Sequence, residues 1–125
     1  MNRRGVVAGL LGARAAFPGT VAAQVSTQGK QWSRHGYYAS SVVRTRTLVK
    51  CASSIEKRKG KHVEVTHRCR ELAGAGPGRV VKMTGYLYGP GYRVHDKCKG
   101  KAKTTGNVDR LLELSCSLKL PKEAR

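Results

Sequence analysis

The chain has 125 residues, with 25 Lys and Arg against 7 Asp and Glu, and its formal net charge is +18. This length allows one domain at most, and so large an excess of positive charge points to a polyanionic partner, nucleic acid first and an anionic membrane surface second. A transmembrane helix is excluded, because the longest weakly polar stretch, Gly5 to Ala23, is interrupted by Arg14 and Pro18.

The first 38 residues contain no carboxylate, and no Asp or Glu occurs before Glu56. Apolar residues recur at helical spacing over positions 6–11 between flanking arginines, which is typical of an organellar transit peptide. Two alternatives stay open. One is a secretory signal with small residues at positions 21–23, which Arg14 disfavours because it ends the apolar run; the other is a basic arm that is never removed. The sequence therefore predicts an organellar leader or a basic arm over residues 1–38.

From Ser40 the apolar side chains recur at every second position, which predicts β-strands. The first predicted strand covers residues 40–51, and a polar turn at residues 56–61 leads to the second, residues 62–70. Basic side chains occupy the opposite face of the first strand. The apolar face of the two strands comprises Val43, Thr45, Thr47, Val49, Cys51, Val63, Val65, His67 and Cys69.

The middle of the body is rich in turn signals. Residues 73–78 are Gly- and Pro-rich and predict an irregular loop, and residues 78–88 predict a third strand that Gly89-Pro90-Gly91 breaks. The strand resumes after this break and gives way to a predicted lysine-rich loop, residues 97–107.

The last predicted strand, residues 111–120, has the most regular alternation in the chain. A helix over residues 108–114 is the alternative, but the alternation continues through Leu120 and favours a strand. Four or five strands with one apolar face each predict an all-β domain over residues 39–125, arranged as a small barrel rather than an open sheet. The apolar face of this last strand comprises Leu112, Leu114, Cys116, Leu118 and Leu120.

The four cysteines form two pairs with the same spacing, since Cys51 and Cys69 are eighteen residues apart and so are Cys98 and Cys116. A turn signal lies midway in each pair, so a hairpin would place each Cys nearly opposite its partner. Three interpretations stay open: two cross-strand disulfides, which suit a secreted domain; small buried side chains, which suit a reducing compartment; and a four-thiolate zinc site, which the absence of close Cys pairs disfavours.

The sequence carries no recognisable motif for catalysis. The seven acids are scattered, and neither a nucleophile elbow nor a phosphate-binding loop occurs. His67 lies on an apolar face and is expected to pack rather than to react. We therefore expect no enzyme activity, no small-molecule substrate, no cofactor and no metal site.

Basic residues cluster on the predicted turns and strands, and Tyr86, Tyr88 and Tyr92 interleave with them. Charge at this density suits phosphate binding, and the tyrosines would either stack on bases or pack at the barrel rim. The alternative for the lysines is a solvated surface that keeps the protein soluble. The predicted RNA-binding residues are Arg44, Arg46, Lys57, Arg58, Lys59, Lys61, Arg68, Arg70, Arg79, Lys82, Arg93, His95, Lys97, Lys99, Lys101 and Lys103.

Four segments occur in a recognisable order. They are Thr47-Leu48 through His62-Val63-Glu64-Val65, Gly78-Arg79-Val80-Val81-Lys82-Met83-Thr84, Tyr92-Arg93-Val94-His95-Asp96, and Asp109 through Cys116. In order and character they resemble small-subunit ribosomal protein seventeen in its bacterial and organellar form, over about residues 45–120. The resemblance implies a five-stranded OB-like barrel, open or lacking its last strand, that binds small-subunit ribosomal RNA. The contacts that it implies are Lys57, Lys59, Lys61, Arg79, Lys82, Arg93, His95 and the loop of residues 97–103.

The chain departs from this family at several points. Gly106-Asn107 stands where the family has Gly-Asp, residues 86–91 look like an insertion, and residues 117–121 differ from the family's stretch after its cysteine. The family's last strand has no counterpart before Arg125. The barrel would therefore be open, or closed by residues 20–45.

Together these features predict a structural constituent of the mitochondrial ribosome, in its small subunit. Its partners would be small-subunit ribosomal RNA and neighbouring ribosomal proteins, without membrane insertion, in the mitochondrial matrix or, as the alternative, in a plastid. Two other functions stay open: a supernumerary subunit of another organellar complex, such as a respiratory-chain complex, and a secreted cationic protein with two disulfides.

Overall fold

The computed structural model describes residues 25–29 and 31–125. This part of the chain forms eight β-strands, two short 3-10 helices and no α-helix. The strands are β1 (Val25–Gln28), β2 (Trp32–Arg34), β3 (Tyr37–Thr45), β4 (Val49–Arg58), β5 (His62–Glu71), β6 (Pro77–Tyr88), β7 (Val94–Thr105) and β8 (Leu111–Lys119). The 3-10 helices are Pro90–Tyr92 and Lys122–Ala124. Of the leader or basic arm predicted for residues 1–38, residues 1–24 and Lys30 lie outside the described residues.

The strands form two antiparallel sheets. In the first sheet β1 and β2 both pair with β3, β3 pairs with β6, and β6 pairs with β7. The second sheet has the order β4-β5-β8. The predicted all-β class is thus confirmed. The described strands do not close into the predicted barrel, because they divide between two sheets that pack face to face. Alternation along a strand is the same in either architecture, so the sequence pattern did not distinguish them. Residues 25–38, assigned above to the leader or arm, contain β1, β2 and the start of β3.

The first predicted strand is in fact two strands. β3 ends at Thr45 and β4 begins at Val49, and the short link between them carries the chain from the first sheet to the second. Thr47 is buried in this link, and its hydroxyl donates a hydrogen bond to the carbonyl of Ala75. The Thr45 hydroxyl donates to the carbonyl of Val80 at 2.8 Å. These bonds fix the crossover without interrupting the alternation of buried residues, which is why the sequence reads as one strand.

The core lies between the two sheets. The predicted apolar faces of β5 and β8 are confirmed, since Val63, Val65 and Leu118 are fully buried. They pack in one cluster with Met83 and Leu87 of β6. Fully burying a side chain of this size contributes about 1.5–3 kcal/mol, so the facing strands stabilise one another through this layer.

The prediction of a lysine-rich loop at residues 97–107 is wrong. Residues 94–105 form β7, which pairs with β6 along most of its length. The lysines of β7 alternate with small residues that point inward, which are Cys98, Gly100, Ala102 and Thr104. Because none of these is a large apolar residue, the sequence showed no alternation of apolar and polar side chains here. At Gly100 a Cβ would lie 3.3 Å from Met83 Cε and 3.6 Å from the Ser115 carbonyl oxygen, so β7 approaches the opposite sheet too closely for larger side chains.

All four cysteines are in disulfides, with the pairing that their spacing indicated. Cys51 and Cys69 lie directly opposite each other in the β4–β5 hairpin, with their Cα atoms 4.0 Å apart. Cys98 and Cys116 do not share a hairpin: they join β7 of the first sheet to β8 of the second, with a Cα separation of 5.8 Å. A Cβ on Gly85 would lie 2.7 Å from Cys98 Sγ, so this glycine makes room for the second bridge.

Candidate functional site

The outer side of the first sheet carries the most concentrated charge of the described chain. Because side chains alternate along a strand, the exposed lysines of β7 point away from the core, while Cys98, Ala102 and Thr104 point toward it. We call this surface the basic face. It comprises Arg44, Lys82, Lys97, Lys99, Lys101 and Lys103, all of them exposed.

Three cations of the basic face form a row across the sheet. Arg44 in β3 lies directly opposite Lys82 in β6, and Lys82 lies directly opposite Lys101 in β7. Side chains in such pairs begin about 5 Å apart, and like charges placed in this way destabilise a sheet. None of the three forms an ion pair with another described residue. The fold therefore maintains a repulsive row that a bound polyanion would relieve.

Shallow depressions lie on both sides of this row. One, of about 400 Å³, is lined by Lys82, Thr84, Lys99 and Lys101 together with backbone of β6 and β7. The other, of about 420 Å³, is lined by Arg44 and Lys82 and by two further cations, which are Arg46 from the crossover link and Arg79 from β6. The basic surface is therefore concave on each side of Lys82, which suits the approach of phosphate groups to several cations at once.

The carboxylates lie elsewhere in the molecule. Of the seven, Glu71 is buried, and Asp96 accepts a hydrogen bond at 2.7 Å from the Lys119 backbone N–H. Three others form ion pairs along the second sheet, which are Arg58–Glu64 at 3.1 Å, Arg68–Glu113 at 3.2 Å and Arg70–Asp109 at 3.0 Å. Exposed pairs such as these stabilise the fold little, but they neutralise their arginines. The two sheets thus differ in charge: the second is mixed, and the basic face bears no carboxylate.

Four tyrosines continue the basic face toward one end of the sheet. Tyr38 stacks on Tyr88 with ring centroids 4.9 Å apart, and Tyr88 stacks on Tyr86 at 5.8 Å. Tyr92 meets Tyr38 edge-on at 6.0 Å. We call these four residues the tyrosine cluster. Lys97 lies directly opposite Tyr86, so cations and aromatic rings form one continuous surface.

Burial raises the pKa of Tyr88, and the neighbouring hydroxyls of Tyr38 and Tyr86 add to the effect. The phenol of Tyr88 therefore stays neutral at physiological pH, and it places no negative charge beside the lysines. Tyr38 was missed in the sequence because it lay in the segment read as a leader. The alternation Tyr38, Ser40, Val42, Arg44 would have revealed it as part of the same face.

A buried carboxylate fixes the end of β7 that carries Lys103. Glu71 Oε2 accepts hydrogen bonds at 2.9 Å from the backbone N–H and the hydroxyl of Thr105, and Oε1 accepts one at 2.9 Å from the Gly106 N–H. Burial by itself raises the pKa of Glu71, but these hydrogen bonds and the nearby charge of Arg110 outweigh it and lower the pKa below its usual value. Glu71 is thus an ionised group that positions the strand.

The structure separates the remaining predicted site residues from the basic face. Arg58, Arg68 and Arg70 are occupied in ion pairs on the second sheet. His95 lies at the bulge of β7, with its ring 5.7 Å from that of Tyr37, and Arg93 follows the 3-10 helix. The exposed Lys59 and Lys61 and the partly buried Lys57 lie at the β4–β5 turn. The structure therefore brings together eight of the predicted residues, which are the six of the basic face with Arg46 and Arg79.

A serine and a histidine are hydrogen-bonded in the interior. Ser41 Oγ lies 2.8 Å from His67 Nε2, and both residues are fully buried. His67 Nδ1 has no hydrogen-bond partner among residues 25–29 and 31–125. Burial lowers the pKa of His67. A Cβ on Gly29 would lie 2.5 Å from Ser41 Oγ, so the β1 side of the sheet covers this pair closely. As predicted, His67 packs in the core, and no substrate can reach it without opening the fold.

Comparisons with protein-family models, with curated proteins and with solved structures found no match. Among residues 25–29 and 31–125, no cluster of His, Cys, Asp and Glu is suited to hold a metal ion. No helix of this described part is long and apolar enough to cross a membrane. The resemblance to the ribosomal family remains a prediction.

Proposed function

We propose that this protein binds RNA, without catalysing a reaction, through the basic face of its first sheet. The single observation that supports this most is the unpaired row of Arg44, Lys82 and Lys101 across three neighbouring strands. Carboxylates are available in the chain, yet they pair with arginines of the second sheet instead. A surface that only maintained solubility would not require cations directly opposite one another.

Phosphate groups would turn this repulsion into attraction. Each phosphate that is neutralised by Lys or Arg releases counterions, so affinity falls steeply as salt rises. The basic face offers six exposed cations on one sheet, and Arg46 and Arg79 extend it at one end. Sheets present side chains at fixed intervals of about 6–7 Å along a strand, which gives the lysines of β7 a regular spacing along the backbone of a bound polyanion.

The test is binding of a fluorescent 20-nucleotide single-stranded RNA at several salt concentrations. We expect a loss of affinity of about 300-fold between 50 and 200 mM salt if six phosphates of the single strand are contacted. Lys82→Gln removes the centre of the row and should weaken binding about tenfold and reduce the salt slope by about one. The matched control is Lys119→Gln on the second sheet, which should change neither. A flat salt response would contradict RNA binding.

The assignment to the small subunit of the mitochondrial ribosome is the more specific part of this proposal. It rests on the resemblance over residues 45–120 and on the character of the leader. Two sheets replace the OB-like barrel that the resemblance implies, so the fold adds no support for this part, and the basic face supports only the binding of RNA. Co-sedimentation with small ribosomal subunits at moderate salt tests it, and recovery with membranes would instead select the alternative of a respiratory-chain subunit.

The two disulfides favour a second candidate, a secreted cationic protein. Disulfides persist in oxidising compartments and are rare where thiols are kept reduced. Removal of the chain up to Ala23 would leave all eight strands, whereas cleavage within residues 34–38 would remove β1 and β2. Mass spectrometry of the protein from its native source, without reduction, decides between the candidates. Two intact bridges and an N-terminus at Gln24 would support export, and four free thiols would exclude it.

A further inference from the structure

Two turns meet at the end of the first sheet that carries the tyrosine cluster. The β2–β3 turn contains His35 and Gly36, and the turn between β6 and β7 runs from Gly89 through the 3-10 helix Pro90–Tyr92. Because Tyr38 of β3 pairs with Tyr88 of β6, both turns lie at the same end of the sheet. A Cβ on Gly36 would be 3.3 Å from Pro90 Cγ, so the turns are in contact.

A cleft of about 490 Å³ lies between these turns, and we call it the turn cleft. Its lining includes Tyr37, Tyr38 and Tyr92 together with Arg34 and His35. Like the two depressions beside Lys82, it is open to solvent. No carboxylate lines it. Its chemistry, flat rings with a cation at the edge, suits a planar aromatic group that belongs to an anionic molecule.

The backbone at both rims of the turn cleft is in a conformation that bulky residues avoid. His35 has a φ of 51° and Tyr92 a φ of 62°, both in the left-handed region. Hydrogen bonds hold the second turn, from the Tyr92 N–H to the Gly89 carbonyl at 3.0 Å and from the Gly89 N–H to the Arg93 carbonyl at 2.7 Å. Tyr92 nevertheless leaves 79% of its surface exposed. A large aromatic ring that is held in a strained turn and left in solvent is the pattern of a contact residue rather than a core residue.

We propose that the turn cleft holds a base of a single RNA strand, stacked on the exposed ring of Tyr92 beside Tyr38, while the phosphates of the same strand follow the basic face. This inference rests on the proposed function. The tyrosine cluster joins the two areas, since Lys97 lies opposite Tyr86 and the tyrosine rings lead from there to Tyr92. A strand bound in this way has a defined position, with an unpaired base at the turns and its backbone along β6 and β7.

The geometry discriminates single strands from duplexes. A base that is paired and stacked within a duplex cannot enter the cleft, whereas an unpaired base can be splayed out onto aromatic side chains. The basic face attracts either form, because phosphate contacts carry no sequence information. We therefore expect binding to single-stranded RNA to exceed binding to a duplex with the same number of phosphates by about tenfold, the gain that stacking of one base provides.

The test compares three probes with the same number of phosphates: an oligouridylate, its abasic ribose-phosphate analogue of equal length, and an RNA duplex of half that length. Tyr92→Ala should weaken binding of the oligouridylate about tenfold and leave the abasic probe unchanged. The matched variant Tyr92→Phe keeps a ring at the same position and should bind as the native protein does. Equal losses for the base-containing and abasic probes, or no loss for either, would overturn the inference.

A second variant separates stacking from folding. Glycine adopts a positive φ without strain, so Tyr92→Gly should keep or raise the melting temperature while it loses the same tenfold in oligouridylate binding. A loss of binding together with a lower melting temperature would overturn the inference. If the native protein bound none of the three probes, the proposed function itself would fail; if it bound all three equally, only the base site would fail.

Discussion

Glu71 and His67 are both fully buried, and each makes the stability of the fold depend on pH in a different range. The pKa of the carboxyl is lowered by its hydrogen bonds and that of the imidazole by burial. Lowered values mean that the unfolded chain takes up both protons first as the pH falls, so both groups make the fold weaker in acid. As the pH falls, His67 begins to destabilise the fold at a higher pH than Glu71 does, because the usual pKa is 6.5 for the imidazole and 4.5 for the carboxyl.

Glu71→Gln should destabilise the protein at neutral pH, because the neutral amide accepts fewer of the hydrogen bonds from Thr105 and Gly106. The stabilisation by the native carboxylate is present above pH 4.5 and is lost as the pH falls through its lowered pKa. The difference in melting temperature between the two proteins should therefore narrow below pH 4.5. Glu113→Gln, which removes an exposed ion pair, is the control and should have little effect.

The double variant Ser41→Ala, His67→Leu removes the buried hydrogen bond and its unpaired Nδ1 together. Replacing both partners by apolar groups can be nearly neutral, so we expect stability at pH 7.5 to be kept. The native protein should lose stability as the pH falls below 6.5, and the variant should not. Urea denaturation from pH 7.5 to 5 measures this. An equal decline in both proteins would show that His67 does not cause it.

At the scale of elements, the two disulfides close loops of the same length but join different elements. Each spans 18 residues, so the chain-entropy account gives each about 3 kcal/mol of stability. Cys51–Cys69 lies within a hairpin that the backbone already pairs, whereas Cys98–Cys116 connects the two sheets. The Cys98–Cys116 disulfide therefore also holds β7, the strand that carries four exposed lysines, against the core.

Removing either bridge by a Cys→Ser pair should lower stability by about 3 kcal/mol. Only the Cys98→Ser, Cys116→Ser variant should also speed hydrogen exchange in β7 and weaken RNA binding at a temperature where both variants remain folded. The Cys51→Ser, Cys69→Ser variant is the control, with the same loop length and a bridge within one hairpin. If both variants changed the rate of hydrogen exchange in β7 equally, the packing of the two sheets would not depend on the Cys98–Cys116 disulfide.

The row of Arg44, Lys82 and Lys101 across β3, β6 and β7 would favour the proposed RNA binding, but its charge repulsion lowers the stability of the fold. Lys82→Gln removes the central charge between Arg44 and Lys101, and we expect it to raise stability by about 0.2–1 kcal/mol while it weakens RNA binding. Thermal melting at low salt measures the gain, which should vanish at high salt because exposed charges are then screened. A fall in stability at low salt would contradict the repulsive row.

Regular alternation of large apolar residues was enough to predict β5 and β8, because one face of each packs on the other sheet. The sequence could not reveal β7, whose inward positions are small to fit against Met83 and Ser115. It also could not separate β3 from β4, since Thr47 continues the alternation through the crossover link. For the site, the lysines were predictable as a cluster. The alignment of Lys101 with Lys82 and of Lys82 with Arg44 depends on strand order, which a single sequence does not specify.

Viewed as a whole, the molecule has two unlike sides. Ion pairs run along the second sheet, while the basic face and the tyrosine cluster occupy the first. The formal net charge of +18 is therefore not spread evenly, and the first sheet should orient toward a polyanion before contact. The disulfide between the sheets makes this orientation a property of one rigid unit rather than of two independent layers.

β7 lies at an edge of the first sheet and, within the described chain, pairs with β6 alone. An edge strand exposes backbone groups that can pair with another copy, and lysines on it keep copies apart by repulsion. A polyanion that neutralises Lys97, Lys99, Lys101 and Lys103 removes this protection as it binds. If a polyanion binds as proposed, we expect the protein to stay dispersed while either partner is in excess and to aggregate where the charges balance.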